Sequence, residues 1–414
     1  MTEHSPSHQS LIKKSVFTIL LLLLILLLVE GISAVGIVYL RKKKNQEYRP
    51  AIKNKLTSLQ KENLLKLINH EEKYVTHSPI LGWTIKPNGT ADLYQANSQG
   101  IRADSDYSAY PASDKIRIAT FGDSFVHCDE VKNEETWQVH LDSFDRHLET
   151  INFGVGGYGT DQAYLRYLED GRKFHPDIVL IGFMTENPIR NLNTFRPFYL
   201  AATGMPLSKP RFQLAGDHIR LINNPLNSLN EYQKLLNNES KVLLELSKND
   251  YFYNYHYAEH PMDFFLAVRL TKILRYIYLK PKEKIFNKLE YNTNSEVYTV
   301  TAAIVEEFYN SVKNDGATPV LVFIPNSGDF GRLKDHQAKN YKPFMDRMDR
   351  KGIKYIDFTA DLLNDILTDE HPESFFAPDY HFSSKGNKYV AKYIYQYLKE
   401  NHYLDRPKTP PASP

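Results

Sequence analysis

The sequence predicts an α/β fold of three layers, with helices on both faces of a mostly parallel, five-stranded sheet. Two observations carry this. Short apolar or β-branched runs recur at 116–121, 148–153, 177–183, 318–324 and 354–358, and helical patterns separate them at 135–144, 161–172, 297–314, 341–350 and 384–400. This alternation is the spacing of right-handed crossover units. A third observation adds an N-terminal transmembrane helix: residues 15–40 are apolar, with Glu30 as their only charge.

At ~1.5 Å per residue that segment can cross a ~30 Å hydrocarbon core. Lys13 and Lys14 precede it and Arg41-Lys42-Lys43-Lys44 follow. A cleaved signal would need processing near Ala34, but the apolar run resumes after Glu30 and ends at a basic stop, so a single uncleaved anchor is expected. The larger C-terminal cluster argues for a cytoplasmic body, and the short N-terminal tail with its own lysines for a cytoplasmic tail. Glu30 is expected near the end of the span with its carboxylate snorkelling, in preference to pairing with a partner helix.

Residues 1–44 thus form tail and anchor, and 45–111 a stalk and extended lead-in. The stalk helix is read from the spacing of Leu56, Leu59, Leu64, Leu65 and Leu67. The main body is expected at 112–402 and a disordered tail at 403–414, rich in Pro. Within the body, residues 195–295 break the strand–helix rhythm. They open with loop sequence and a hairpin, 211–214 and 218–221, turned at Ala215-Gly216-Asp217, and an insertion of this length is expected to form a lid or substrate cap.

Composition narrows the function. The 51 Lys and Arg against 49 Asp and Glu give no basic surface for nucleic acid. Cys128 is the sole cysteine, which excludes an intramolecular disulfide and any multi-cysteine metal site, and it reads as a small buried apolar residue. The 28 Tyr and 22 Phe fit a packed body with room for an amphipathic groove.

Chemistry-bearing residues gather at the C-terminal ends of the expected strands. Gly122-Asp123-Ser124-Phe125 follows the first, where Ser124 is either a nucleophile or the cap of the next helix. Asn152-Phe153-Gly154-Val155-Gly156-Gly157 follows the second; it lacks the spacing of a dinucleotide fingerprint, and its glycines free backbone N–H groups for a ligand. Thr185-Glu186-Asn187-Pro188 follows the third, with Asn187 at the rim as a turn residue or an oxyanion donor. Asp379-Tyr380-His381 precedes the last helix, and an Asp two residues before a His can turn back onto its Nδ1–H.

In content and order these four segments resemble the four blocks of the SGNH/GDSL hydrolase superfamily, over roughly residues 116–398 apart from the insertion. The resemblance implies a flavodoxin-like three-layer sandwich. It also implies a serine esterase in which Ser124 is nucleophile, His381 general base and Asp379 its orienting acid. The Ser124 and Gly157 N–H groups and the Asn187 amide would form the oxyanion hole. No metal or organic cofactor is implied. Thr185 and Pro188 depart from the usual Gly-x-Asn-Asp third block. The Asp379–His381 spacing is similar to the polysaccharide O-acetyltransferase-like branch, and Leu81-Gly82-Trp83 and Tyr158-Gly159-Thr160-Asp161-Gln162 look like membrane-anchored bacterial members. On those grounds the body is expected outside the cytoplasm, acting on acyl esters of envelope glycans or lipids. Hydrolysis and O-acyl transfer share every named residue; transfer would need a membrane partner to supply the acyl donor. A non-catalytic, membrane-tethered binding protein on the same fold is the remaining alternative.

Overall fold

The computed structural model describes residues 8–44, 48, 55–216, 218–255, 260–282 and 290–405. Asp217 in the expected hairpin turn and residues 406–414 of the expected tail lie outside them; Tyr403 and Leu404 pack against the core.

Helix α1 (His8–Lys44) is followed by α2 (Ser58–Ile68) and an antiparallel pair, β1 (Val75–Ser78) and β2 (Gly82–Ile85). The first half of the core is β3 (Ile116–Phe121), α3 (Ser124–His127), α4 (Trp137–Phe144), β4 (Leu148–Asn152), α5 (Thr160–Glu169) and β5 (Ile178–Met184). The intervening segment holds α6 (Arg196–Tyr199), a hairpin of β6 (Arg211–Ala215) and β7 (His218–Ile222), then α7 (Leu229–Asn237), α8 (Glu239–Leu246), α9 (Tyr251–Tyr255) and α10 (Leu266–Lys282). The second half is α11 (Glu296–Asn314), β8 (Thr318–Ile324), α12 (Ser327–Lys334), α13 (Lys342–Arg350), β9 (Tyr355–Asp357), α14 (Thr359–Thr368) and α15 (Ser384–Glu400).

The central sheet runs β4-β3-β5-β8-β9 and every pairing in it is parallel. Counted along the chain that is the order 2-1-3-4-5, whose order reverses at β3, the position where sheets of this kind hold ligands. Side chains alternate between the faces with period two. Ala119, Phe121, Ile151, Val179, Ile181 and Phe323 pack under α5, α11 and α13, whereas Ile118, Leu148, Leu180, Val322 and Ile356 pack under α4, α14 and α15. Two cores, one on each side of the sheet, fix its C-terminal edge.

Helix α5 ends at Glu169, short of the expected 172. The chain tightens there into a 3₁₀ turn, Gly171–Phe174, and the Phe121 ring occupies the space a Cβ on Gly171 would need.

Two N-terminal expectations change. The helix read as a stalk begins at Ser58, and it lies against the body: Leu56, Leu64 and Leu67 are buried, and Gln60 donates to the Ala201 and Thr203 carbonyls. Glu30 does not simply snorkel. Its carboxylate accepts the Leu266 and Ala267 N–H groups at 2.7 and 3.1 Å, satisfying two free donors at the start of α10, which packs along α1 with Leu270 against Gly36.

Two buried acids hold the segment after β5, one within it and one from the core. The Asp250 carboxylate accepts the Thr194 and Phe195 N–H groups and the Asn193 amide at 2.6 to 3.1 Å. Lys209, just ahead of β6, donates to Asp161 on α5, with both side chains almost wholly out of water.

Candidate active site

Strand β3 delivers Ser124 to the C-terminal edge of the sheet. Asp123 is the N-cap of α3: its side chain accepts the Phe125 N–H at 3.0 Å, and Ser124 is the first residue inside the helix. The capping role weighed for Ser124 therefore belongs to its neighbour. Ser124 Oγ lies 2.8 Å from His381 Nε2, a hydrogen bond across 257 positions of chain. Ser124 is 9% exposed, so its hydroxyl works in a site largely shielded from water.

His381 stands on a tight reversal. Phe376 and Phe382 form an isolated antiparallel bridge, the Ala377 N–H donates to the His381 carbonyl at 2.8 Å, and Tyr380 adopts φ 68. The reversal pushes the imidazole inward against the Phe125 ring, 4.7 Å between centroids, and leaves Tyr380 exposed.

The same reversal separates Asp379 from the role expected of it. Its side chain is exposed, and the buried His381 Nδ1 has no hydrogen-bond partner among the described residues. The carboxylate beside Nδ1 is that of Glu130, whose Oε2 lies 3.5 Å away. Asp379 contributes its backbone N–H, which donates to both Glu130 oxygens at 3.1 and 3.3 Å. A two-residue spacing allows an Asp to reach Nδ1 but does not force it, because the left-handed residue between them decides where the Asp points.

The other predicted residues meet at the same edge. Gly157 has φ 82, where only glycine is unstrained, and a Cβ there would fall 2.4 Å from the Arg196 guanidinium. Arg196 in turn donates to the Gly157 carbonyl at 3.0 Å, which fixes the peptide plane. Neither the Ser124 nor the Gly157 N–H donates to a protein acceptor among the described residues, so both donors are open to a ligand. Asn187, the first residue of a 3₁₀ turn shortly after β5, is buried and its amide donates to the Asp123 carboxylate, leaving one amide hydrogen. Arg190 lies 3.6 Å from that carboxylate. Burial pushes the Asp123 pKa up, and Arg190 opposes the rise.

Replacing Gly157 with Ala forces a side chain into the left-handed region and against Arg196. The expected result is a loss of stability on the order of 1–3 kcal/mol from backbone strain, read by thermal denaturation.

A second set of residues, invisible to motif reading, shapes the loop after α3. Tyr74 Oη donates to His127 Nε2 at 2.7 Å, and His127 Nδ1 lies 2.5 Å from Asp129. That assigns the Nδ1–H tautomer to His127. Burial lowers the His127 pKa, against the pull of Asp129. Arg102, from the lead-in, donates to the His127, Cys128 and Val131 carbonyls at 2.6 to 2.7 Å and to Asn133 Oδ1 at 3.2 Å. The chain turns twice in the left-handed region under this staple, at Cys128 (φ 63) and Glu130 (φ 72). Cys128 is buried, and burial pushes its thiol up to about 12, so it is no nucleophile at neutral pH. Among the described residues no group of acids, His and Cys is placed to hold a metal.

No family model matches the chain, and no curated protein does. Solved structures resemble it at low identity. One is a putative lipolytic protein of the G-D-S-L family from Desulfitobacterium hafniense DCB-2, at 12% identity, covering 68% of this chain and 99% of that one, with a TM-score of 0.31. The lipase/acylhydrolase from Enterococcus faecalis is 13% identical over 69% of this chain and 96% of its own, with a TM-score of 0.33. A catalytic mutant of Axe2, an acetylxylan esterase from Geobacillus stearothermophilus, is 12% identical over 69% of this chain and 93% of its own, with a TM-score of 0.33.

Proposed function

We propose that the chain is a serine esterase of the SGNH/GDSL type that cleaves acyl esters through a Ser124 acyl-enzyme. One observation carries the reading: the 2.8 Å contact between Ser124 Oγ and His381 Nε2 at the C-terminal edge of the sheet. In this reading His381 Nε2 takes the Ser124 proton as Oγ attacks the ester carbonyl, then returns it to the leaving alkoxide. The Ser124 and Gly157 N–H groups and the remaining Asn187 amide hydrogen hold the oxyanion. Water, deprotonated by the same nitrogen, releases the acid.

Helix α1 anchors the chain, since Lys13–Lys43 is long and apolar enough to cross a membrane. We place the body outside the cytoplasm, where envelope glycans and lipids carry acyl esters. The full chain in detergent is expected to hydrolyse p-nitrophenyl acetate and to become labelled at Ser124 by a fluorophosphonate. Absence of both would overturn the assignment. A glycan acceptor that draws the acyl group away from water would mark the protein as a transferase working with a membrane acyl donor.

A further inference from the structure

We propose that Glu130, not Asp379, is the positioning carboxylate that holds the His381 imidazole for proton transfer. The inference rests on the esterase reading of Ser124 and His381 and names a residue outside the four sequence blocks.

Three observations converge. His381 Nδ1 is buried and has no hydrogen-bond partner among the described residues, an expensive state for a ring N–H unless a partner closes on it. The carboxylate facing that nitrogen is Glu130 Oε2 at 3.5 Å, with each side chain 20% exposed. Contacts of this kind are often long without substrate and tighten when the reaction begins. Glu130 is also held in place from both sides. The Asp379 N–H donates to its two oxygens from the His381 turn, and Arg102 staples the loop that carries it.

The consequence is a compact device. One short segment, α3 and the turn after it, supplies both the nucleophile and the acid that orients its base. When Ser124 Oγ gives its proton to Nε2, the imidazolium keeps its Nδ1–H pointed at the Glu130 carboxylate, which keeps the ring from rotating. Asp379 serves through its backbone, so the side chain at that position is dispensable to the hydrogen bond it makes.

The test compares Glu130→Ala, Glu130→Asp and Asp379→Ala in the full chain in detergent. Glu130→Ala is expected to lower kcat on the order of 10²- to 10⁴-fold, as loss of an orienting acid does, with KM changed by less than about threefold. Glu130→Asp should regain part of the loss, and added formate should restore activity to Glu130→Ala. A fold defect would respond to neither. Asp379→Ala should cost at least tenfold less than Glu130→Ala. In parallel, the downfield ¹H resonance of the His381 Nδ1–H should vanish in Glu130→Ala and persist in Asp379→Ala. This signal reads the pairing without turnover, so it separates failure of this inference from failure of the esterase reading. The reverse ranking of the two variants, or a proton signal lost only in Asp379→Ala, overturns the proposal.

Discussion

Ser124→Ala is expected to reduce hydrolysis of p-nitrophenyl acetate on the order of 10⁴- to 10⁶-fold, to the level that oxyanion donors and binding alone sustain. The reason is specific to the site. Cys128 lies four residues away, but its thiol is buried, held protonated and bonded to nearby carbonyls, so it offers no substitute nucleophile. The hydroxyl makes one side-chain hydrogen bond, to His381, and α3 is capped by Asp123, so removing Oγ leaves the fold intact. Stability should change by no more than about 1.5 kcal/mol, the net worth of the one hydrogen bond lost. Kinetics and a thermal melt on the same preparation check both halves. Activity within about tenfold of the parent, after contaminating esterases are removed, would contradict a Ser124 acyl-enzyme.

The largest stability effect is expected at Lys209. Its ammonium is buried against the Asp161 carboxylate, with side-chain exposures of 3% and 0%. Burial pushes the Asp161 pKa up and the Lys209 pKa down, and each is opposed by the other's charge. Lys209→Met removes the opposing charge and strands the acid, which should cost about 3–5 kcal/mol. The sign of its pH dependence follows from the direction of the shift. A carboxyl whose folded pKa lies above its unfolded value weakens folding once the pH exceeds the unfolded value. The variant's deficit should therefore shrink as the medium is made acid. Adding Asp161→Asn should recover much of the loss at neutral pH, because no charge is then buried; additive losses in the double variant would show that the pair is not the source. Denaturant unfolding at two pH values reads all of this. The pair joins α5 to the segment after β5, so its loss should also loosen that segment from the core.

Much of the body was legible because its strands are buried on both faces and write their length directly in apolar residues. The expected 116–121 and 318–324 coincide with β3 and β8. The edge strand was read too long: 354–358 is observed as Tyr355–Asp357, where β9 pairs with β8 alone and its ends have no second neighbour. The leucine spacing at 56–67 was legible as a helix, but not its burial, since a stripe that docks on its own body and one that faces elsewhere look alike in sequence.

The site divides in the same way. Ser124, Gly157, Asn187 and His381 could be singled out in the sequence because each sits near a strand end or beside a helix start, where short motifs reflect local backbone needs. Glu130 carries no such mark. It is one acid in Asp129-Glu130, and its position depends on Arg102, Tyr74 and the turn at Tyr380, all distant in sequence.

By itself the sequence determined the layered α/β architecture and the apolar N-terminal helix, and it singled out Ser124 and His381. Periodicity and strand-end chemistry are local properties that survive without knowledge of contacts. Only the tertiary structure decided that Asp123 caps where Ser124 was weighed to cap, that Glu30 closes the start of α10, and that His381 Nδ1 faces Glu130 and not Asp379. Each of these is a hydrogen-bond or charge contact whose partner is chosen by how turns and packed elements orient side chains, and a single left-handed residue is enough to change it.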